Sequence, residues 1–255
     1  MSIATDIQRA IQRTPFVDTH EHLMEESDRV ALATGRQVSF ASPGTFQQWP
    51  AADWSWLFSQ YVASDLRVAG MPVEDLKELL GHELAPKEKY RILAPWYARC
   101  RHTGFLQAAQ EAMRLLFHVE DLREDNCEQL AEDFRAKIQP GYYRDILREA
   151  ANLEYTQVNC LYSPAFRETE SPDLLAQDIS FVKLATELDI PAISRLANKE
   201  VGGLDDWHAL IDQCFETCGP RAIAVKNQSA YVRKLDYAQV SAAEAAPLFA
   251  RYVRD

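Results

Sequence analysis

From residue 142 onward, strand-like and helix-like stretches alternate, and this alternation limits the fold more than any other feature. "YYRDILREAAN" carries helical spacing of apolar residues, and "YTQVNCLYS" reads as a strand. "DLLAQDISFVKLATELD" is predicted to be a helix opened by Ser171-Pro172-Asp173, and "IPAISRLA" a strand. "LDDWHALIDQCFETCG" reads as a helix, "RAIAVKNQSAY" as a strand and "SAAEAAPLFARYVRD" as a closing helix. Strands that alternate with helices build a parallel sheet with helices packed outside it. In such sheets the carboxyl ends of the strands carry the chemistry.

A further strand stands far upstream. Phe16-Val17-Asp18-Thr19-His20 reads as a short buried strand behind an amphipathic helix that places Ile3, Ile7, Ala10 and Ile11 on one face. About 130 residues separate it from the next strand, too many for an ordinary connection. Much of the interval has helical periodicity, as in "VEDLKELLGHEL", "PKEKYRILAPWYARCRHTG", "FLQAAQEAMRLLFHV" and "NCEQLAEDFRAKI". The chain is therefore expected to be one α/β domain over residues 1–255, interrupted by a helical insertion over 24–139.

Composition excludes several classes. Apolar residues make up 47% of the 255, enough for a sizeable core. A net charge of −11 argues against nucleic acid or an anionic membrane as partner. No apolar run has the length of a membrane span, and the N-terminal helix lacks the features of a secretory leader. Five cysteines without zinc-finger spacing suit reduced thiols in a cytoplasmic protein.

The stretch "FVDTHEHL" concentrates the chemistry. Two residues apart on a strand, His20 and His22 point to the same face, and Glu21 points to the other. Paired neutral imidazoles at a strand end suit zinc, manganese or iron. His82, His102, His118 and His208 lie in or beside helices, where core or surface roles are expected. Lys226 follows the apolar run Ala222–Val225, and an ammonium at the end of a buried strand must reach a counter-charge, the site or the surface. As a free amine it would bind a substrate carboxylate or act as a base. Arg195, at the end of "AISRLA", has a planar fork that suits a carboxylate or phosphate, or an ion pair with a neighbouring acid. Asn159 and Tyr162 flank the end of the second strand and are candidates to orient substrate hydroxyls, and Arg101 with His102 are candidate lid residues.

"DTHEHL" after an apolar strand resembles the opening of the amidohydrolase superfamily. In that superfamily a His-x-His pair at the end of strand one binds a divalent metal inside a TIM-like (β/α)8 barrel. The resemblance implies that His20 and His22 are metal ligands, with zinc the expected ion. It also implies that Lys226 holds a metal as a carbamate or binds substrate. The long aromatic-rich insertion, with "WYARCRHTGFLQAAQEAMRLLFHVEDL", resembles the uronate isomerase branch. Hydrolysis of an amide, ester or lactone is the main expectation, with isomerisation or decarboxylation of a sugar acid as alternatives. The family barrel has eight strands with further metal ligands after the fourth, whereas four strands are read here. The chain is thus expected to be the N-terminal half of such a barrel, inactive without its other half. Its substrate is expected to be a small carboxylate-bearing molecule, and its open edges to make it a homo-oligomer.

Overall fold

The computed structural model describes residues 2–35, 51–159 and 165–254. Tyr162 and part of the segment after Gly35 lie outside them. In chain order the elements begin with α1 (Ile3–Arg13), β1 (Phe16–Glu21) and α2 (Glu26–Ala33). A 3-10 turn, Trp54–Phe58, precedes α3 (Gln60–Val68), α4 (Val73–Leu80), α5 (Pro86–Cys100), α6 (Gly104–Phe117) and α7 (Cys127–Lys137). A π-helical stretch, Arg144–Ala150, leads into β2 (Leu153–Val158) and β3 (Leu175–Ser180). A π-helical turn, Val182–Thr186, is followed by α8 (Ile190–Ala197), α9 (Leu204–Cys218), β4 (Ala224–Lys226) and α10 (Ala242–Arg254). No described helix is long and apolar enough to cross a membrane.

The chain divides into two compact units. The first comprises residues 2–23 and the described part of 152–254; the second comprises the described part of 24–151. The first unit is a parallel four-stranded sheet in the order β1-β2-β3-β4. Ile179 of β3 is buried with Ile193 of α8, Trp207 and Leu210 of α9 and Phe249 of α10, so these helices cover its outer face. The opposite, inner face takes the alternate residues. The second unit is helical around its own core, in which Trp54, Phe58, Leu66, Leu79, Leu93 and Met113 are buried. There the Trp54 indole N–H donates to the Cys127 carbonyl at 2.8 Å, tying the 3-10 turn to the start of α7.

Two elements differ from the sequence reading, and they are neighbours. "DLLAQDISFVKLATELD" supplies β3 rather than a helix, and "IPAISRLA" supplies α8 rather than a strand. The helix has a local cause. The Asp189 side chain accepts from the Ala192 backbone N–H at 3.1 Å, and Pro191 sits in the first turn, where its missing N–H costs nothing. Ile190, Ile193 and Ala197 then share one face, and Asn198 closes the helix in the left-handed region at φ 51°. The strand has a tertiary cause. Leu175, Gln177 and Ile179 alternate onto the covered face, and the backbone pairs with β2 on one side and β4 on the other. Short apolar runs fit either period, and pairing decides between them. The connection from β2 to β3 contains no helix among its described residues.

Candidate active site on the inner face of the sheet

The register places each side chain. Asp178 pairs with Ala224 and Ser180 with Lys226, so Lys226 lies on the inner face opposite Ile179 and Val225. On β2, Gln157 is inner, and its side-chain amide donates to Asp178 at 3.3 Å. On β1, Asp18 pairs with Thr156 and Glu21 with Val158, three residues against two. This bulge turns Asp18 and Glu21 to the same outer face, and the Asp18 carboxylate accepts from the His20 backbone N–H at 3.1 Å. His20 and His22 therefore both project inward, their ring centroids 4.7 Å apart and the planes at 86°.

The Lys226 Nζ lies 2.9 Å from the His20 Nδ1. In a flat sheet β1 and β4, three strand spacings apart, would be separated by about 14 Å, beyond the reach of these two side chains. The sheet is therefore curled, with a concave inner face, and three of the residues chosen from sequence converge there: His20, His22 and Lys226. Asn159 continues the β1–β2 ladder, its backbone N–H donating to the Glu21 carbonyl at 2.8 Å. It follows Gln157 by two and so faces inward as well.

Electrostatics follow from burial and neighbours. Burial pushes the His22 pKa below 6.5; the charge of His20 adds to this, the Asn159 carbonyl opposes it, and Lys226 lowers it further. Burial raises the Glu21 carboxyl above 4.5, and the adjacent Asp18 raises it more. The unfolded chain thus binds the His22 proton more readily than the folded one. The fold should lose stability as pH falls below 6.5, whereas Glu21 acts oppositely, costing stability as pH rises through 4.5. The melting temperature should therefore rise between about pH 5.5 and pH 7.5, and His22→Asn should flatten that rise. An unchanged slope in the variant would remove His22 as its source.

The other chosen residues lie elsewhere. Arg195 is not at a strand end: it sits exposed in the last turn of α8, because the segment that carries it is helical. Arg101 belongs to the helical unit, where it pairs with Asp121 at 2.9 Å. Asp178, Gln157 and Ser180 are inner-face polar groups that the sequence reading passed over, because a helical reading of the "LLAQDIS" region hides the face they share. Among the described residues no three or more His, Cys, Asp or Glu cluster to hold a metal. The two imidazoles still fit part of such a site, since the His22 Nδ1 is buried without a hydrogen-bond partner among the described residues.

This curled parallel sheet, with its polar groups gathered on the concave side, has a counterpart among solved structures. The fold resembles half of a glucuronate isomerase. The match is to the enzyme from Caulobacter crescentus, with a TM-score of 0.61 and 15% sequence identity, over 95% of this chain and 51% of that one. The chain thus spans about half the length of that enzyme. At this identity the likeness shows the fold alone: four parallel strands of a TIM-type barrel. No family model matches the sequence, and no curated protein matches it.

Proposed function

We propose that this chain provides one half of a metal-dependent sugar-acid isomerase of the uronate type, on an amidohydrolase-like barrel. The observation that carries the reading is the convergence of His20, His22 and Lys226 on one concave face. The similarity to a glucuronate isomerase supports isomerisation over hydrolysis as the reaction of the whole barrel. A divalent ion bound by the His20 and His22 imidazoles would polarise the substrate carbonyl and its neighbouring hydroxyl.

The chain's own residues define the rest. If the His20 Nε2 faces the ion, the His20 Nδ1 bears the proton and needs an acceptor. Lys226 at 2.9 Å meets that need as a neutral amine or as a carbamate, but not as an ammonium. In the apo chain the ammonium can instead donate to a deprotonated Nδ1, and its charge would hold a substrate carboxylate near the site. The helical unit, placed between β1 and β2 in the chain, is in this reading an insertion that serves the barrel. Reduced thiols fit a cytoplasmic enzyme; Cys100 and Cys127 are buried and unbridged.

Metal titration tests the reading. The wild-type chain should bind zinc or manganese weakly, and the His20→Ala/His22→Ala double variant should bind at least tenfold more weakly. Equal binding by both proteins would show that the histidines are not ligands.

A further inference from the structure

We infer that the Asn159 carboxamide is a substrate-recognition group that pairs with a hydroxyl of the sugar acid, and that the fold keeps it unpaired for this purpose. The inference rests on the uronate reading above and adds a specificity-determining residue to it. Asn159 is 1% exposed, yet neither its Oδ1 nor its Nδ2 has a hydrogen-bond partner among the described residues. A buried carboxamide gives up its bonds to water and here gains none in return. Native proteins hold few such groups, and they collect where a ligand completes them.

Position says which ligand. Asn159 stands at the carboxyl end of β2, and its backbone N–H is fixed by the Glu21 carbonyl, between His20 and His22 in sequence. Alternation from Gln157 turns its side chain to the same concave face as His20, His22 and Lys226. The His22 Nδ1 on that face is also buried and, among the described residues, unpartnered. A carboxamide presents one acceptor and one donor group side by side. A hydroxyl both donates and accepts, so a polyhydroxylated acid satisfies both ends, whereas a bare carboxylate satisfies only the N–H side. In the loaded site, where Lys226 carries no positive charge, Asn159 reads a hydroxyl of the substrate. A site with buried polar groups of this kind rejects an analogue that leaves them unpaired.

The test compares the full chain with Asn159→Leu, a substitution of the same branched shape without polar atoms. Glucuronate is the probe, binding is followed by ligand-observed NMR, and the melting temperature is measured without ligand. The variant should melt roughly 5 °C higher, because the unpaired amide is gone. Its affinity for glucuronate should fall on the order of tenfold or more. A lower melting temperature would show that the carboxamide is a structural group and overturn the inference. Unchanged glucuronate affinity in the variant would overturn it too, while leaving the uronate reading intact. If the wild-type chain itself does not bind glucuronate, this inference fails, while the uronate reading is judged separately by turnover of the chain joined to a second half.

Discussion

Asp53→Ala should destabilise the helical unit by about 3–5 kcal/mol, enough to unfold many domains of its size. Lys89 is fully buried, and its Nζ lies 2.8 Å from the Asp53 Oδ2 and 3.1 Å from the Ser55 Oγ. The other carboxylate oxygen, Oδ1, accepts from the Ser55 backbone N–H at 2.8 Å, which starts the 3-10 turn carrying Trp54 and Phe58 into the core. Removing the carboxylate leaves an ammonium in the core with one hydroxyl for company, and it also uncaps that turn. The cost comes from the stranded charge, not from the worth of the pair. The double variant Asp53→Leu/Lys89→Met, which removes both charges, should therefore recover most of the loss. Denaturant unfolding followed by circular dichroism measures both proteins. If the double variant is as unstable as Asp53→Ala, the pair stabilises through geometry that apolar packing cannot replace.

The histidine pair was legible in the sequence because its information is local. Two imidazoles separated by one residue on a strand are expected to share a face, and the bulge between Asp18 and Glu21, which includes His20, leaves the two rings in contact at 4.7 Å. Lys226 was legible for a similar reason, as a lone charge closing an apolar run. The parallel architecture also followed from the alternation of segments. The identities of β3 and α8 did not follow, although the α8 half of the error had a readable signal. Asp189-Ile190-Pro191 is a helix start, with a capping carboxylate and a proline in the first turn. β3 had no comparable local mark. Its strand state is decided by pairing with β2 and β4, which lie close in space and not in sequence. Losing β3 meant losing Asp178 and Ser180 as inner-face groups, and reading α8 as a strand put Arg195 at a strand end that does not exist. Asn159 was identifiable as a candidate from its position, but its unpaired burial is a property of packing that no spacing encodes.

Glucuronate isomerisation by this 255-residue chain alone should be undetectable, and the chain should elute as a dimer or larger species. β1 and β4 are the outer strands of the sheet, and among the described residues each leaves one row of backbone N–H and C=O groups without a strand partner. The apolar side chains at these edges are exposed to match: Phe16 at 49% and Val17 at 41% on β1, Ile223 at 45% and Val225 at 50% at β4. The α1 stripe of Ile3, Ile7 and Ile11 is exposed as well, and so are Leu248 and Tyr252 of α10. A closed barrel pairs every strand on both sides and fills its interior with side chains from the whole ring. The two histidines lie on the open edge strand, and two imidazoles fall short of the three protein ligands of a catalytic metal site. A second four-stranded half, with its own metal ligands, would pair with β1 and β4, cover both apolar flanks and bring those ligands to the His20–His22 face. Co-expression with the half of the glucuronate isomerase that this chain does not match should shift the chain to a defined one-to-one complex. Tight metal binding should appear in that complex, and turnover with it. The readouts are sizing with light scattering, metal content and uronate turnover, before and after co-expression. A chain that is monomeric and active on its own would show that the four strands already form a complete site, and that their exposed edges belong to the working protein.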